Sequence, residues 1–255
     1  MTNAPISSSL QHAAGAMNVA RFPSLEGRRV FVTGGGSGIG AAMVEAFAAQ
    51  GALVAFVDVA ADASAELAAR VQARTQRAPW WRACDVRDVA ALQQAIADAA
   101  QALGDFHVLV NNVASDDRHA LESVTPEYWD NRMAINERPA FFAIQAVVPG
   151  MKRLGQGAIV NLGSTGWQSK ASEYPCYAIA KSSVNGLTRG LAKSLGAHRI
   201  RINTVSPGWV MTERQVTKWL TPAGEDDIAQ MVLFLAADDG RMCTAQEFKV
   251  DAGWV

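Results

Sequence analysis

A single α/β domain built on a doubly wound parallel sheet is the fold class that this sequence predicts, and three observations carry it. The first is Val30-Phe-Val-Thr-Gly-Gly-Gly-Ser-Gly-Ile-Gly40, a β-forming run that breaks into a glycine turn and opens the helix-forming stretch Ala41–Gln50. The second is Ala52-Leu-Val-Ala-Phe-Val-Asp58, an apolar run closing on an acid 18 positions after Gly40. The third is the alternation of strand-like and helix-like stretches from residue 28 to about residue 200. Within it Val108, Leu109 and Val110 are continuously apolar, as a strand buried on both faces of a parallel sheet must be.

Each element follows from its residues. A helix N-terminus fronted by side-chain-free N–H groups suits a pyrophosphate, because orphan donors and the helix dipole both favour an anion. The spacing Gly34-x-x-x-Gly38-x-Gly40 differs from the commoner Gly-x-Gly-x-x-Gly, and a glycine turn alone is also an ordinary structural turn. Asp58 in isolation reads as a solvated turn residue or a helix N-cap. After strand, glycine turn, helix and buried strand, it reads as the acid that meets ribose hydroxyls. A helix is expected near Asp62–Thr75, a short strand at Trp80–Ala83 leading to Cys84-Asp-Val86, a helix at Val89–Leu103 and a fourth strand within Asp105–Asn112. One long helix is expected over roughly Tyr128–Arg153, then a strand at Ala158–Leu162, a helix within Ser172–Leu195 and a strand at Ile200–Val205. A helix at Asp227–Ala236 and a short strand at Glu247–Val250 complete the pattern. No repeat, low-complexity tract or linker divides the chain, so one domain is expected over 23–255, after a mobile tail over 1–22.

Composition narrows the function classes. The 255 residues are 49% hydrophobic and carry a net charge of −1, which gives no electrostatic case for nucleic acid or an anionic membrane. Cys84, Cys176 and Cys243 are odd in number, far apart and never in Cys-x-x-Cys, and read as reduced thiols of a cytoplasmic protein. No apolar run reaches the length of a membrane span, and the first 22 residues lack the basic start and apolar core of a signal peptide. His119 has no second histidine at ligand spacing, so no metal site is expected.

Ligands of open α/β sheets bind at the carboxyl ends of the strands. Asp85, Asn111 with Asn112, Ser164 and Pro207-Gly208 fall there. Downstream, Tyr177 and Lys181 stand four apart and project from one helix face. An ammonium beside a phenol favours the phenolate and lowers a pKa that starts near 10, so that Tyr177 can act as a base. Ser164 can hydrogen-bond a substrate oxygen and stabilise charge developing there. By themselves Tyr177 and Lys181 also fit an ordinary amphipathic helix. The order of glycine turn, Asn-Asn, Ser and Tyr-x-x-x-Lys selects the chemical reading.

With those residues in place the sequence resembles the short-chain dehydrogenase/reductases, a family of the Rossmann fold, from about Leu25 to its end. The motifs are Thr33-Gly-x-x-x-Gly38-Ile-Gly40, Cys84-Asp85-Val86, Asn111-Asn112-Val-Ala114, Asn136, Ser164, Tyr177-x-x-x-Lys181 and Pro207-Gly-Trp-Val-Met-Thr212. The resemblance implies a catalytic set of Asn136, Ser164, Tyr177 and Lys181, with Asn136 holding a water that relays the proton. It implies a nicotinamide dinucleotide on Gly34, Ser37, Gly38, Ile39, Gly40 and Asp58, with Asp85 and Val86 flanking the adenine. Asn112, Tyr177, Lys181 and Pro207 would line the same cleft, and Val210 and Thr212 would touch the nicotinamide amide. NAD is expected over NADP, since Asp58 repels a 2′-phosphate and Ser37 offers it no cation.

Finer detail resembles the sugar dehydrogenases that oxidise free aldoses at C1: Asn111-Asn-Val-Ala-Ser-Asp-Asp-Arg-His119, Pro149-Gly-Met-Lys152, Trp219-x-Thr-Pro-x-Gly-Glu225 and Val250-Asp-Ala-Gly-Trp254. Polar groups at Ser115–His119 are then expected at the substrate mouth, with Asp117 and His119 as substrate-binding residues beside Ser164 and Tyr177. A solvated loop with internal ion pairs is the other reading of that stretch. Val113-Ala114 departs from the family's usual Ala-Gly, and only 14 residues separate Thr212 from Asp227. The second departure implies a lost substrate lid or a stretch missing from the sequence as written, and Glu225-Asp226, interrupting a familiar pattern, favours the latter. The resemblance also implies a homotetramer. A ketoacyl-thioester or small-ketone reductase, and a dinucleotide-binding protein without turnover, are the competing functions.

Overall fold

The computed structural model describes residues 20–208, 224–251 and 253. Residues 1–19 of the expected tail, Val210, Thr212 and most of the expected lid region lie outside these. The chain runs β1 (Arg29–Thr33), α1 (Gly38–Ala49), β2 (Leu53–Asp58), α2 (Ala61–Thr75), β3 (Trp80–Ala83), α3 (Val89–Leu103) and β4 (Val108–Asn111). It continues with α4 (Pro126–Asn136), α5 (Arg138–Leu154), β5 (Gly157–Leu162), α6 (Pro175–Gly196), β6 (Ile200–Pro207), α7 (Glu225–Ala236) and β7 (Glu247–Val250). The strands form one sheet in the order β3-β2-β1-β4-β5-β6-β7, every neighbouring pair parallel. Among the described residues no helix is long and apolar enough to cross a membrane.

Period-two alternation along the strands sends apolar side chains to both faces. Val30 and Val32 join Phe47, Phe56, Leu67 and Val232 under α1, α2 and α7. Phe31, between them, points the other way and packs with Phe106, Leu92, Ile159 and Met151 under α3 and α5. Both faces are therefore sealed, and the carboxyl ends of the strands remain the open edge. The order reverses between β1 and β4, where two successive crossovers leave in opposite directions and a crevice opens.

The single helix expected over Tyr128–Arg153 is two helices. Thr125 caps α4 through its hydroxyl, accepting from Tyr128 N–H at 3.2 Å, with Pro126 in the first turn. The chain leaves helical geometry at Glu137 (φ −128°, ψ −60°), and Pro139 lies in the first turn of α5. Apolar periodicity runs through both helices and conceals the break, which Pro139 signals.

Beneath the open edge lies a row of buried polar side chains. Asn111 Nδ2 donates to Asn161 Oδ1 (2.9 Å), Asn161 Nδ2 donates to Thr188 Oγ1 (3.0 Å), and the Thr188 and Thr204 hydroxyls lie 2.8 Å apart. The row binds α6 to β4, β5 and β6 in a register that an apolar contact would not fix.

At the opposite edge, His107 joins β1 to β4. Its Nδ1 accepts the Arg29 N–H at 3.1 Å, so that nitrogen carries no proton. Burial, with the Arg29 guanidinium, holds the imidazole down from about 6.5 to about 4. Between those values the unfolded chain binds a proton that the folded one refuses, so stability falls as pH drops from about 6.5 toward 4. In His107→Asn, Oδ1 takes the same N–H without titrating. Urea unfolding at pH 7 and pH 4.5 should show a smaller acid loss in the variant than in the wild type. Equal losses would show that His107 contributes nothing to the pH dependence.

Candidate active site

A cleft of about 1310 Å³ follows the crevice between β1 and β4. At one end the β1–α1 turn forms a cradle. Gly34 takes φ +68°, and a Cβ on Gly40 would sit 1.8 Å from the Gly34 oxygen, so both positions require glycine. Asn112 braces the turn, its Nδ2 donating to that same oxygen at 2.8 Å. Ser37 caps α1 without a side-chain bond, and the first-turn N–H groups, orphaned in any helix, open onto the cleft that Ser37, Gly38 and Ile39 line. Asp58 Oδ2 accepts the Gly36 N–H at 2.8 Å and Oδ1 the Ala60 N–H at 2.9 Å, which fixes the carboxylate at the end of β2. Asp85 and Val86 form the far wall, and the Arg87 guanidinium bound to Asp85 holds its carboxyl below the usual range. A turn too tight for side chains, free helix N–H groups and a carboxylate beyond them fit a dinucleotide.

The other end of the cleft brings Ser164, Tyr177, Lys181 and Pro207 together. Ser164 follows β5, and its Oγ accepts the Gly166 N–H at 3.0 Å in a short 3-10 turn. Tyr177 lies in the first turn of α6 and Lys181 one turn on, with Nζ 5.9 Å from the phenol ring centroid. Lys181 is 3% exposed and donates to the Leu162 carbonyl at 2.7 Å. Burial lowers its pKa to about 8. The expected lowering of the phenol pKa by Lys181 is not what the surroundings produce: burial outweighs the Ser164 hydroxyl and pushes Tyr177 up to about 12.

Asn136 does not line the main cleft, but with Lys181 and Leu162 it lines a small adjoining cavity. Its Oδ1 accepts the Ser115 N–H at 2.7 Å, and its Nδ2 donates to Ser115 O (3.2 Å) and Arg132 O (3.0 Å). The amide thus clamps the loop after β4 onto α4.

The loop divides the expected substrate residues: Asp117 and His119 do not line the cleft, whereas Asp116 and Arg118 do. The Tyr128 hydroxyl donates to Asp117 Oδ2 at 3.1 Å and lies 2.9 Å from His119 Nδ1, while His119 Nε2 accepts the Cys176 N–H at 3.2 Å. Arg132 stands 3.7 Å from Asp117. In an extended segment successive side chains leave on opposite sides, so with Asp117 and His119 directed to Tyr128 and the start of α6, Asp116 and Arg118 face the cleft. Arg118 lies 4.2 Å over the Tyr174 ring, and Tyr174 meets Tyr177 edge-on at 5.4 Å. Tyr174 escaped the sequence reading, although it stands three residues before Tyr177.

A family model described as enoyl-(acyl carrier protein) reductase matches residues 34–255, across the cradle, Ser164, Tyr177 and Lys181. The chain belongs to the short-chain dehydrogenase/reductase family. It is 46% identical over 249 residues to "Probable galactose dehydrogenase GalD" of Rhizobium meliloti, covering 92% of this chain and 97% of that one. It is 44% identical over 253 residues to D-xylose 1-dehydrogenase of Caulobacter vibrioides, covering 93% and 100%. Among solved structures, a blue fluorescent protein from a metagenomic library in complex with NADPH superposes with a TM-score of 0.84 at 37% identity, over 91% of this chain and 99% of that one. The protein is an NAD(P)-dependent oxidoreductase acting on CH–OH groups.

Gly40→Ala tests the cradle. The added methyl collides with the Gly34 carbonyl, so affinity for NAD should fall about 10-fold or more, with a lower Tm. Fluorescence titration and thermal unfolding measure both. An unchanged Kd and Tm would show that the turn yields freely.

Proposed function

We propose that this protein oxidises a free aldose, a pentose, hexose or 6-deoxyhexose, at C1 to the lactone, with NAD and with Tyr177 as general base. The observation that carries the reading is that Asp116 and Arg118 line the same cleft as Ser164 and Tyr177, a charged pair that suits sugar hydroxyls rather than an acyl chain. The names of the two relatives, galactose and D-xylose 1-dehydrogenase, support the same class.

A dinucleotide held by this cleft would supply the hydride acceptor. Tyr177 takes the proton of the anomeric hydroxyl, and the Ser164 hydroxyl donates to that same oxygen. A neutral buried phenol responds strongly to a nearby positive charge, because the low-dielectric surroundings that raise its pKa also strengthen attraction. Lys181, tied by one N–H to the Leu162 carbonyl, keeps its others for the nicotinamide ribose hydroxyls. Asn136 keeps Ser115 and the loop in place and, lining one small cavity with Lys181, would hold a water that relays the proton out.

Asp58 supports NAD, since its fixed carboxylate accepts ribose hydroxyls and repels a 2′-phosphate. Arg70, at the same end of the cleft, is occupied by Glu45 at 3.3 Å. Phe141 on α5 and Ile179 on α6, each nearly half exposed, support self-association, and a homotetramer in the cytoplasm is the state we propose.

Tyr177→Phe should lower kcat about 10²–10⁴-fold while leaving the Kd for NAD nearly unchanged, because the ring still packs without its hydroxyl. Retention of most activity would exclude Tyr177 as the base. NADH formation across D-xylose, L-arabinose, D-galactose and L-fucose, repeated with NADP and set against thioester reduction, tests substrate class and cofactor together. The expected outcome is oxidation of at least one sugar, with higher kcat/KM for NAD. Silence on every sugar with clear thioester reduction would make the protein a ketoacyl-type reductase, and silence on both would leave a binder without turnover.

A further inference from the structure

The loop after β4 carries four consecutive charged or titratable side chains, Asp116-Asp-Arg-His119, and uses its two sides differently. Asp117, more than half exposed, and His119 are bonded to the protein by Tyr128 and the Cys176 N–H, with Arg132 nearby. His119 is further fixed by its own N–H, which donates to Glu173 O at 2.8 Å. Because Nε2 accepts a backbone N–H and Nδ1 lies 2.9 Å from both the Asp117 carbonyl and the Tyr128 hydroxyl, both ring nitrogens are committed and neither is left for a ligand.

Asp116 and Arg118 are in the opposite condition. Both line the cleft, and their one mutual contact is a loose ion pair of 3.7 Å with each side chain more than a third exposed. Among the described residues neither donates nor accepts a hydrogen bond through its side chain. The guanidinium is nevertheless held, 4.2 Å over the Tyr174 ring, and Tyr174 abuts Tyr177. A planar donor fork fixed by stacking, beside a carboxylate and next to the base, is a preorganised polar site with its donors and acceptors unspent. Such a pair suits neighbouring hydroxyls of one ring: the carboxylate accepts from them, and the fork donates to their oxygens. The two charges also act on Tyr177 with opposite sign, Asp116 disfavouring and Arg118 favouring the phenolate, which places them within electrostatic reach of the reacting oxygen.

We propose that Asp116 and Arg118 are the specificity residues that read the ring hydroxyls of the sugar, and that Asp117 and His119 hold the loop so that they can. The inference rests on the aldose reading and assigns its recognition to a particular pair. A substrate hydroxyl of the wrong configuration leaves one of these groups unmatched on closing against the sugar, and a site built around paired polar groups discriminates by that loss.

The experiment compares wild type, Asp116→Asn, Arg118→Met and Arg118→Lys. Measurements are kcat/KM for D-xylose, L-arabinose and D-galactose with NAD, the Kd for NAD and the Tm. Asp116→Asn and Arg118→Met should each lose roughly 10- to 100-fold in kcat/KM on the preferred sugar, mostly in KM. The ratio between sugars should shrink, while Kd for NAD and Tm stay near wild type. Arg118→Lys keeps the charge without the planar fork and should recover part of the rate but not the ratio. If wild type oxidises a sugar and every variant keeps its kcat/KM and its ratio, the pair does not read the ring and this inference fails alone. If wild type oxidises no aldose, the aldose reading fails and this inference with it. A parallel collapse of Tm, NAD affinity and rate in Arg118→Met and Asp116→Asn, unrelieved in Arg118→Lys, would make the pair structural and overturn it.

Discussion

Lys181 has almost no contact with solvent, and its 2.7 Å bond to the Leu162 carbonyl stands where sheet edge, helix α6 and cleft meet. Burying an ammonium is costly unless it is hydrogen-bonded, so the side chain has little freedom to leave that carbonyl. Since Leu162 ends β5 and Ser164 comes two residues later, the bond fixes the distance between the strand that presents Ser164 and the helix that presents Tyr177. A second attachment, Asn161 to Thr188, holds the same helix two turns deeper. Two anchors prevent both sliding and rotation. The positions of Ser164 and Tyr177 are thus tied to the interior of the sheet.

The electrostatics of this arrangement are unsettled by design of the burial itself. The phenol is driven toward its neutral form and the ammonium is weakened, by the same exclusion of water. Neither group is poised alone. A pocket of this kind strengthens the effect of any charge that enters it.

Much of this was legible in the sequence, for identifiable reasons. Strands buried on both faces read as unbroken apolar runs, so β1, β2, β4 and β5 were visible, and the glycine turn is dictated by contacts that exclude any Cβ. The break at Glu137 was hidden because α4 and α5 share one apolar phase. The parity of the loop after β4 was hidden because it depends on partners far along the chain: Tyr128 and Arg132 on α4, and the start of α6. Four charged or titratable residues in a row carry no sign of which pair faces the cleft. The surroundings of Tyr177 were not legible because spacing shows a lysine nearby but not the loss of water around both groups.

The two-sided loop also bears on how such a protein changes over evolutionary time. Asp117 and His119 tie the loop to α4 and α6, whereas Asp116 and Arg118 make no side-chain hydrogen bond and contact only each other and Tyr174, so positions 116 and 118 can vary with a modest penalty to stability. The cradle for the dinucleotide belongs to β1, α1 and β2, which do not share those positions. Substrate preference can drift by exchange of two neighbouring side chains while the reaction and its cofactor are inherited intact. One scaffold could in this way give rise to paralogues that differ only in the sugars they accept.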